Sequence, residues 1–353
     1  MPRLLILFPC RHMGNLLIAL PHLKAMLDQH RDALLVFDDS YRAIVEASLP
    51  GETRLLGYPG AALGSGQPLL KRARHYLRFV FAMRRFRPTL CIDVEGEQKS
   101  ATLARLSGAR QRRGPARPHS RWFYTENLSR ENHGHRWQGY ASLSDPAAPP
   151  PARYLPAQTD EPARTQLATI IEEGGLTAAA PWLVIHVGAT KYYKMWHPQQ
   201  FALLCQRARQ AGLEPILIGA GRKDRQQVEQ VQASLKTPAL DLCDRLTLKQ
   251  LIALFHGSRA YVGNDSGPMH LAAACGLPTV GLFGPTDERL WQPMADQARI
   301  LRWQDCDPDC QRSHCALEHY PCLQRISVEQ VMTTLAELGA VPAGGHRLAD
   351  TSA

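Results

Sequence analysis

Short unbroken apolar runs alternate along the chain with longer segments whose apolar residues recur at helical spacing. In the first half the runs predict strands at 4–8, 33–37 and 89–94, with helices over 16–29 and 71–87. The stretch Asp145-Pro146-Ala147-Ala148-Pro149-Pro150-Pro151-Ala152 cannot hold a helix or a central strand and reads as a linker. Beyond it a helix is expected at 161–173, and the pattern then restarts. Strands are expected at 182–187, 215–219, 260–263 and 279–283, with helices at 198–211, 222–234, 247–256, 269–275 and 328–338. Strands and helices alternating in this way predict an α/β protein with two doubly wound, Rossmann-like units. The expected domains are 1–155, a linker and helix over 156–180, a second domain over 181–325, a C-terminal helix at 326–338 and a disordered tail from 339 to 353.

A length of 353 residues suits two such domains, and 44% hydrophobic with 21% charged residues describes a soluble globular chain. No apolar run approaches the ~18 residues that a membrane span needs. The opening Met1–Pro9 lacks a cleavage site and reads as a first buried strand, so a cytoplasmic protein with reduced cysteines is expected.

Charge changes the picture in one place. Between Lys71 and Arg121 fourteen Lys and Arg residues face only three acids, Asp93, Glu95 and Glu97. A solvated surface explains half of such runs; the other reading is an anionic partner, phospholipid headgroups or a phosphorylated substrate. Nothing resembles a nucleic-acid module, so nucleic acid is not expected as a partner.

Three segments carry candidate chemistry. In Tyr261–Ala274 a strand gives way to the turn Asn264-Asp265-Ser266-Gly267-Pro268 and then to a small-residue helix. Unpaired N–H groups at such a helix start favour a phosphate, Ser266 and Gly267 allow close approach, and His270 offers a further donor. The plain alternative is an ordinary helix capped by Asp265. In His186–Pro198 a strand runs into a loop carrying Thr190, Lys191 and Lys194, which suit a pyrophosphate leaving group, although exposed lysines are common. In Met13–Pro21, Gly14 is read as a tight turn and Asn15 as a helix cap; without G-x-G-x-x-G, a nicotinamide cofactor is disfavoured.

Taken together, these segments resemble glycosyltransferase family 9, the ADP-heptose:lipopolysaccharide heptosyltransferases. The resemblance rests on Met13–Pro21, on Val187–Thr190 through Lys194–Pro198, and on Asp265–His270 through Gly281–Asp287, with a weaker match at Cys91–Gly96 and Lys99–Ala101. It implies a GT-B fold, two Rossmann-like domains facing a central cleft. It also implies inverting transfer without a catalytic metal, with ADP-L-glycero-β-D-manno-heptose as donor and phosphorylated inner-core lipopolysaccharide as acceptor. Peripheral contact with the anionic cytoplasmic face of the inner membrane would follow. By the same resemblance Thr190 and Lys194 meet the donor phosphates, with Lys194 counted as catalytic; Lys191 is added to the donor side on its charge alone. Asp265, Ser266, Gly267 and His270 line the pyrophosphate and sugar, Asp224 approaches the ribose, and Gly14, Asn15 and Glu95 lie on the acceptor side.

One departure matters. The family's usual aspartate after the first-segment glycine, its favoured general base, is here Asn15, and an amide cannot take a proton near neutral pH. Either another carboxylate serves as base, with Asp93 and Glu95 as candidates, or the leaving group departs ahead of deprotonation, or the protein is slow or inactive; the expectation is an active enzyme in which Asn15 orients the acceptor by hydrogen bonding. A protein hydroxyl as acceptor, or a weakly active nucleotide-sugar-binding homologue, are the alternatives. Finally, Cys306, Cys310, Cys315 and Cys322 could hold a structural zinc or iron; the spacing lacks C-x₂-C knuckles, so reduced thiols packing a loop remain the other reading.

Overall fold

The computed structural model describes residues 2–64, 66–118, 120–130, 134–144, 150–177, 180–303 and 321–341. The chain divides into two compact units, Met1–Leu155 and Pro156–Ala353.

The first unit holds strands β1 (Leu4–Phe8), β2 (Ala33–Asp38), β3 (Leu55–Tyr58), β4 (Leu90–Asp93), β5 (Gln111–Pro115) and β6 (Glu126–Leu128). Its α-helices are α1 (Met13–Gln29), α2 (Arg42–Ser48), α3 (Leu69–Arg85), α4 (Gln98–Leu106) and α5 (Arg136–Ala141). The strands form one parallel sheet in the order β3-β2-β1-β4-β5-β6. All five residues of β1 are fully buried, as an unbroken apolar run should be when both faces of a parallel strand are covered.

The second unit repeats the plan. Its strands are β7 (Trp182–His186), β8 (Glu214–Ile218), β9 (Leu240–Asp241), β10 (Ala260–Asn264), β11 (Thr279–Phe283) and β12 (Ala298–Arg302), ordered β12-β11-β10-β7-β8-β9 and parallel throughout. Its helices are α6 (Glu161–Glu173), α7 (Pro198–Gln210), α8 (Arg222–Ala233), α9 (Leu248–Gly257), α10 (Gly267–Ala274), α11 (Glu288–Trp291), α12 (Pro321–Gln324) and α13 (Val328–Glu337). The segment read as linker and helix belongs to this unit: α6, started by the Asp160 carboxylate accepting from the Ala163 N–H at 2.9 Å, packs against α9. The final helix α13 packs on α7.

In each sheet the chain first builds outward on one side and then returns to the other side of its starting strand. The reversal falls between β1 and β4 in the first unit and between β7 and β10 in the second. Ligands of doubly wound sheets bind outside the strand carboxyl ends at such a point.

Two local expectations are corrected. Gly14 makes no turn and Asn15 caps nothing: α1 already begins at Met13, its N-cap is His12, and Asn15 lies within the first helical turn. The tail is not disordered from residue 339, because Ala340 is fully buried and the Arg259 guanidinium donates to the Gly339 and Ala340 carbonyls. Residues 342–353 lie outside the described residues. Among the described residues no helix is long and apolar enough to cross a membrane.

Candidate functional site

In the second unit, the loop after β7 and the turn after β10 emerge side by side at the reversal point. Asn264, fully buried at the end of β10, ties them together. Its side-chain oxygen accepts from the Trp196 backbone N–H at 2.9 Å, and its amide nitrogen donates to the carbonyls of Val187 (2.9 Å) and Gly188 (3.2 Å). Trp196 is itself fully buried, edge-on to Phe201, and its indole N–H donates to the Ile326 carbonyl. The phosphate-binding loop proposed from sequence therefore stands on a rigid base.

On that base Lys194 reaches the Asp265 carboxylate at 2.8 Å, so two residues predicted from separate segments form one ion pair. Asp265 is 7% exposed and Lys194 about a quarter exposed, leaving the ammonium open to a ligand. Thr190 and Lys191 are exposed on the same loop, and the Thr190 carbonyl accepts from Lys223. Helix α10 begins at Gly267 behind an extended Ser266 whose hydroxyl caps nothing. The first-turn N–H groups of Gly267 and Met269 consequently have no intrahelical acceptor, the arrangement that suits an anion. His270, one residue further into α10, is only 3% exposed.

The Ser266 hydroxyl is instead engaged by His186, the last residue of β7, at 3.1 Å from Nδ1. The opposite ring nitrogen, Nε2, lies 3.2 Å from Asp224 Oδ2, which also accepts from the Ala220 N–H at 3.0 Å. Burial pushes the Asp224 carboxyl up, but the His186 hydrogen bond and charge, with the Ala220 N–H, outweigh it and hold the group below its ordinary value. Nothing in the sequence pattern points to this serine–histidine–aspartate chain: His186 reads as a strand residue, and only its position at the strand's carboxyl end marks it.

The first unit gathers a second cluster at its own reversal point. Asn15 donates to the Cys10 thiol, with 3.7 Å between Nδ2 and Sγ. Asp93, at the end of β4, is fully buried with both oxygens occupied: Oδ2 accepts from the Tyr124 hydroxyl at 2.6 Å and Oδ1 from the Gly96 N–H at 2.8 Å. Burial raises its pKa to about 6 despite those donors. Glu95 differs, because its Oε2 is buried with no hydrogen-bond partner. Burial pushes the Glu95 carboxyl up to about 7; Lys99 draws it back and Asp93 adds to the rise. The Lys99 ammonium donates to the Pro9 carbonyl and sits 5.1 Å from the centre of the Tyr58 ring. Arg130 donates to the carbonyls of Val94 and Glu95. Burial lifts the Cys10 thiol to about 11, so it stays protonated near neutral pH.

Of the predicted cysteine group, Cys306, Cys310 and Cys315 lie outside the described residues, and Cys322 lies in α12. Among the described residues no cluster of three or more His, Cys, Asp or Glu is placed to hold a metal ion.

Two doubly wound units, each with polar loops at its reversal point, define the GT-B class of α/β protein. The profile of glycosyltransferase family 9 (heptosyltransferase) matches residues 77–321, and the chain belongs to that family. A lipooligosaccharide heptosyltransferase 2 of Campylobacter jejuni is 29% identical over 150 residues, covering 41% of this chain and 47% of that protein. The chain thus spans about half the length of this curated relative. The structure of the Escherichia coli ADP-heptose lipopolysaccharide heptosyltransferase II superposes with a TM-score of 0.75 at 19% identity, covering 95% of this chain and 98% of the other. An E. coli heptosyltransferase solved with ADP gives a TM-score of 0.70 at 17% identity, covering 95% and 99%. These two likenesses establish the fold.

Proposed function

We propose that the chain transfers heptose, with inversion, from ADP-L-glycero-β-D-manno-heptose to the phosphorylated inner core of lipopolysaccharide, working in the cytoplasm against an anionic membrane surface. The observation that carries this reading is the pairing of Lys194 with Asp265 beside the uncapped start of α10, in a chain of the heptosyltransferase family. The likeness to an ADP-heptose lipopolysaccharide heptosyltransferase and to a heptosyltransferase solved with ADP supports the same donor.

In this reading the diphosphate lies against the first turn of α10, with Thr190, Lys191 and Lys194 supplying a hydroxyl and two cations. Lys194 trades its contact with Asp265 for the β-phosphate as negative charge grows there, an interaction that strengthens in the transition state. The acceptor hydroxyl attacks the anomeric carbon as the bond from that carbon to the diphosphate oxygen breaks, and ADP departs. The hydroxyl proton passes to Glu95. Asp93, its oxygens already occupied, braces the loop rather than taking the proton, and Asn15 orients the acceptor by hydrogen bonding.

The test is ADP release from ADP-heptose, followed with a heptose-deficient core glycolipid and, separately, with unfolded and folded protein acceptors. Release with the glycolipid alone is expected. Release only with protein, or none with either, overturns the reading.

A further inference from the structure

Helix α3 is amphipathic on both sides, and only one side is satisfied by the fold. Its inner face buries Phe79 and Met83, with Phe79 edge-on to Tyr58 at 5.3 Å. Its outer face presents Leu70 (87% exposed), Leu77 (65%) and Phe81 (69%). At a helical advance of 100° per residue these three fall within an arc of about 40°, one continuous apolar stripe along the helix. The stripe cannot turn inward without expelling Phe79 and Met83 from the core. Three large apolar side chains in line cost solvation free energy unless something covers them.

The charges beside the stripe say what covers it. Lys71, Arg74, Arg78 and Arg85 follow it along one flank and Arg84 along the other, and α3 contains no acidic residue. Among the described residues none of these cations is engaged in an ion pair. An apolar stripe bordered by unpaired cations matches the boundary between acyl chains and anionic headgroups, where long basic side chains reach up to phosphate while the stripe sinks below it. A water-soluble anion would satisfy the arginines and leave the leucines and phenylalanine wet. A second copy of the chain would cover the stripe and bring like charges together.

We propose that α3 is a membrane-docking helix, which lays Leu70, Leu77 and Phe81 into the interfacial layer of an anionic lipid bilayer with its arginines on the headgroups. The proposal rests on the membrane contact in the proposed function and names the element that makes it, but it is independent of which sugar or acceptor the chain uses.

Flotation of the full chain with vesicles of phosphatidylcholine, alone or doped with phosphatidylglycerol, tests it. The wild type should float with the anionic vesicles and much less with the neutral ones. The double substitution Leu77→Ser with Phe81→Ser should weaken flotation about tenfold or more at any salt concentration, since it removes the inserted stripe. Arg74→Glu with Arg78→Glu should cost at least about fivefold per residue at low salt, a loss that shrinks as salt screens the headgroups. Both pairs are exposed, so circular dichroism and thermal unfolding should match the wild type, and ADP release with a delipidated core acceptor should be unchanged. Flotation of the wild type with neither vesicle, or equally with both, overturns the proposal. So does a Leu77→Ser, Phe81→Ser variant that floats like the wild type. A wild-type dimer that this variant dissociates would mean that the stripe belongs to a second copy.

Discussion

In the proposed reaction the carboxylate that Asn15 leaves missing comes from a neighbouring strand end, and the choice between two candidates turns on single hydrogen bonds. Asp93 and Glu95 are both buried acids, but Asp93 spends its oxygens on Tyr124 and Gly96, whereas Glu95 keeps a free one. A base works only when deprotonated. With the Glu95 carboxyl lifted to about 7, kcat/KM should therefore fall tenfold per pH unit below that value and level off above it. Glu95→Gln should lower kcat by about a hundredfold or more and abolish this limb, which a pH–rate profile of both forms would show. Asn15→Asp should change turnover by less than about tenfold, because Glu95 already fills the role; a gain of several orders of magnitude would mean that the wild type lacks a working base. The sequence named both acids and could not separate them. The partner that removes Asp93 is Tyr124, thirty-one residues away, and no local pattern reveals it. Gly188 makes the same point about space. A Cβ there would lie 1.9 Å from an Asp224 oxygen, so Gly188→Ala should force Asp224 off His186 and weaken donor binding, measurable by calorimetry with ADP.

Among the elements, the interior strands apart from β5 were readable and the borders of the sheets were not. The strands β1, β7, β10 and β11 are buried along their whole length and announce themselves as unbroken apolar runs. The four edge strands β3, β6, β9 and β12 were all missed, being half-exposed or only two or three residues long. A strand covered on fewer sides needs fewer apolar residues, so its composition resembles a loop. The strand β5, Gln-Arg-Arg-Gly-Pro, hid because its two half-buried arginines read as a loop; Arg112 donates to the Phe123 carbonyl and Arg113 to the Glu126 carboxylate. The loops after β7 and β10 were legible as loops because strand, small-residue turn and helix leave a mark in sequence. The brace beneath them was not, since Asn264 looks like any turn residue. Asn264→Ala should leave the Trp196 N–H and the Val187 carbonyl buried without partners. A loss of roughly 3 kcal/mol in unfolding free energy, read by urea denaturation, is expected.

For the whole molecule, the proposed roles divide the work between the two units, and that division predicts that binding and chemistry separate. The residues assigned to the donor, Thr190, Lys191, Lys194, Asp265 and the start of α10, all belong to Pro156–Ala353, while Glu95 and Asn15 belong to Met1–Leu155. ADP at a hundred times its Kd should add about 2.7 kcal/mol to the stability of the wild type. Glu95→Gln should show the same gain, because the proposed donor residues all lie in the other unit. Lys194→Ala should lose most of it: the Asp265 carboxylate, then without its cation, would face the incoming diphosphate and repel it, weakening affinity by about tenfold or more. Asp265→Asn added to Lys194→Ala should restore part of that affinity by removing the repulsion. Thermal unfolding of the four forms with and without ADP reads all of this in one experiment. Equal stabilisation of wild type and Lys194→Ala would move the diphosphate away from this loop; loss of stabilisation in Glu95→Gln would mean that the nucleotide also reaches the first unit.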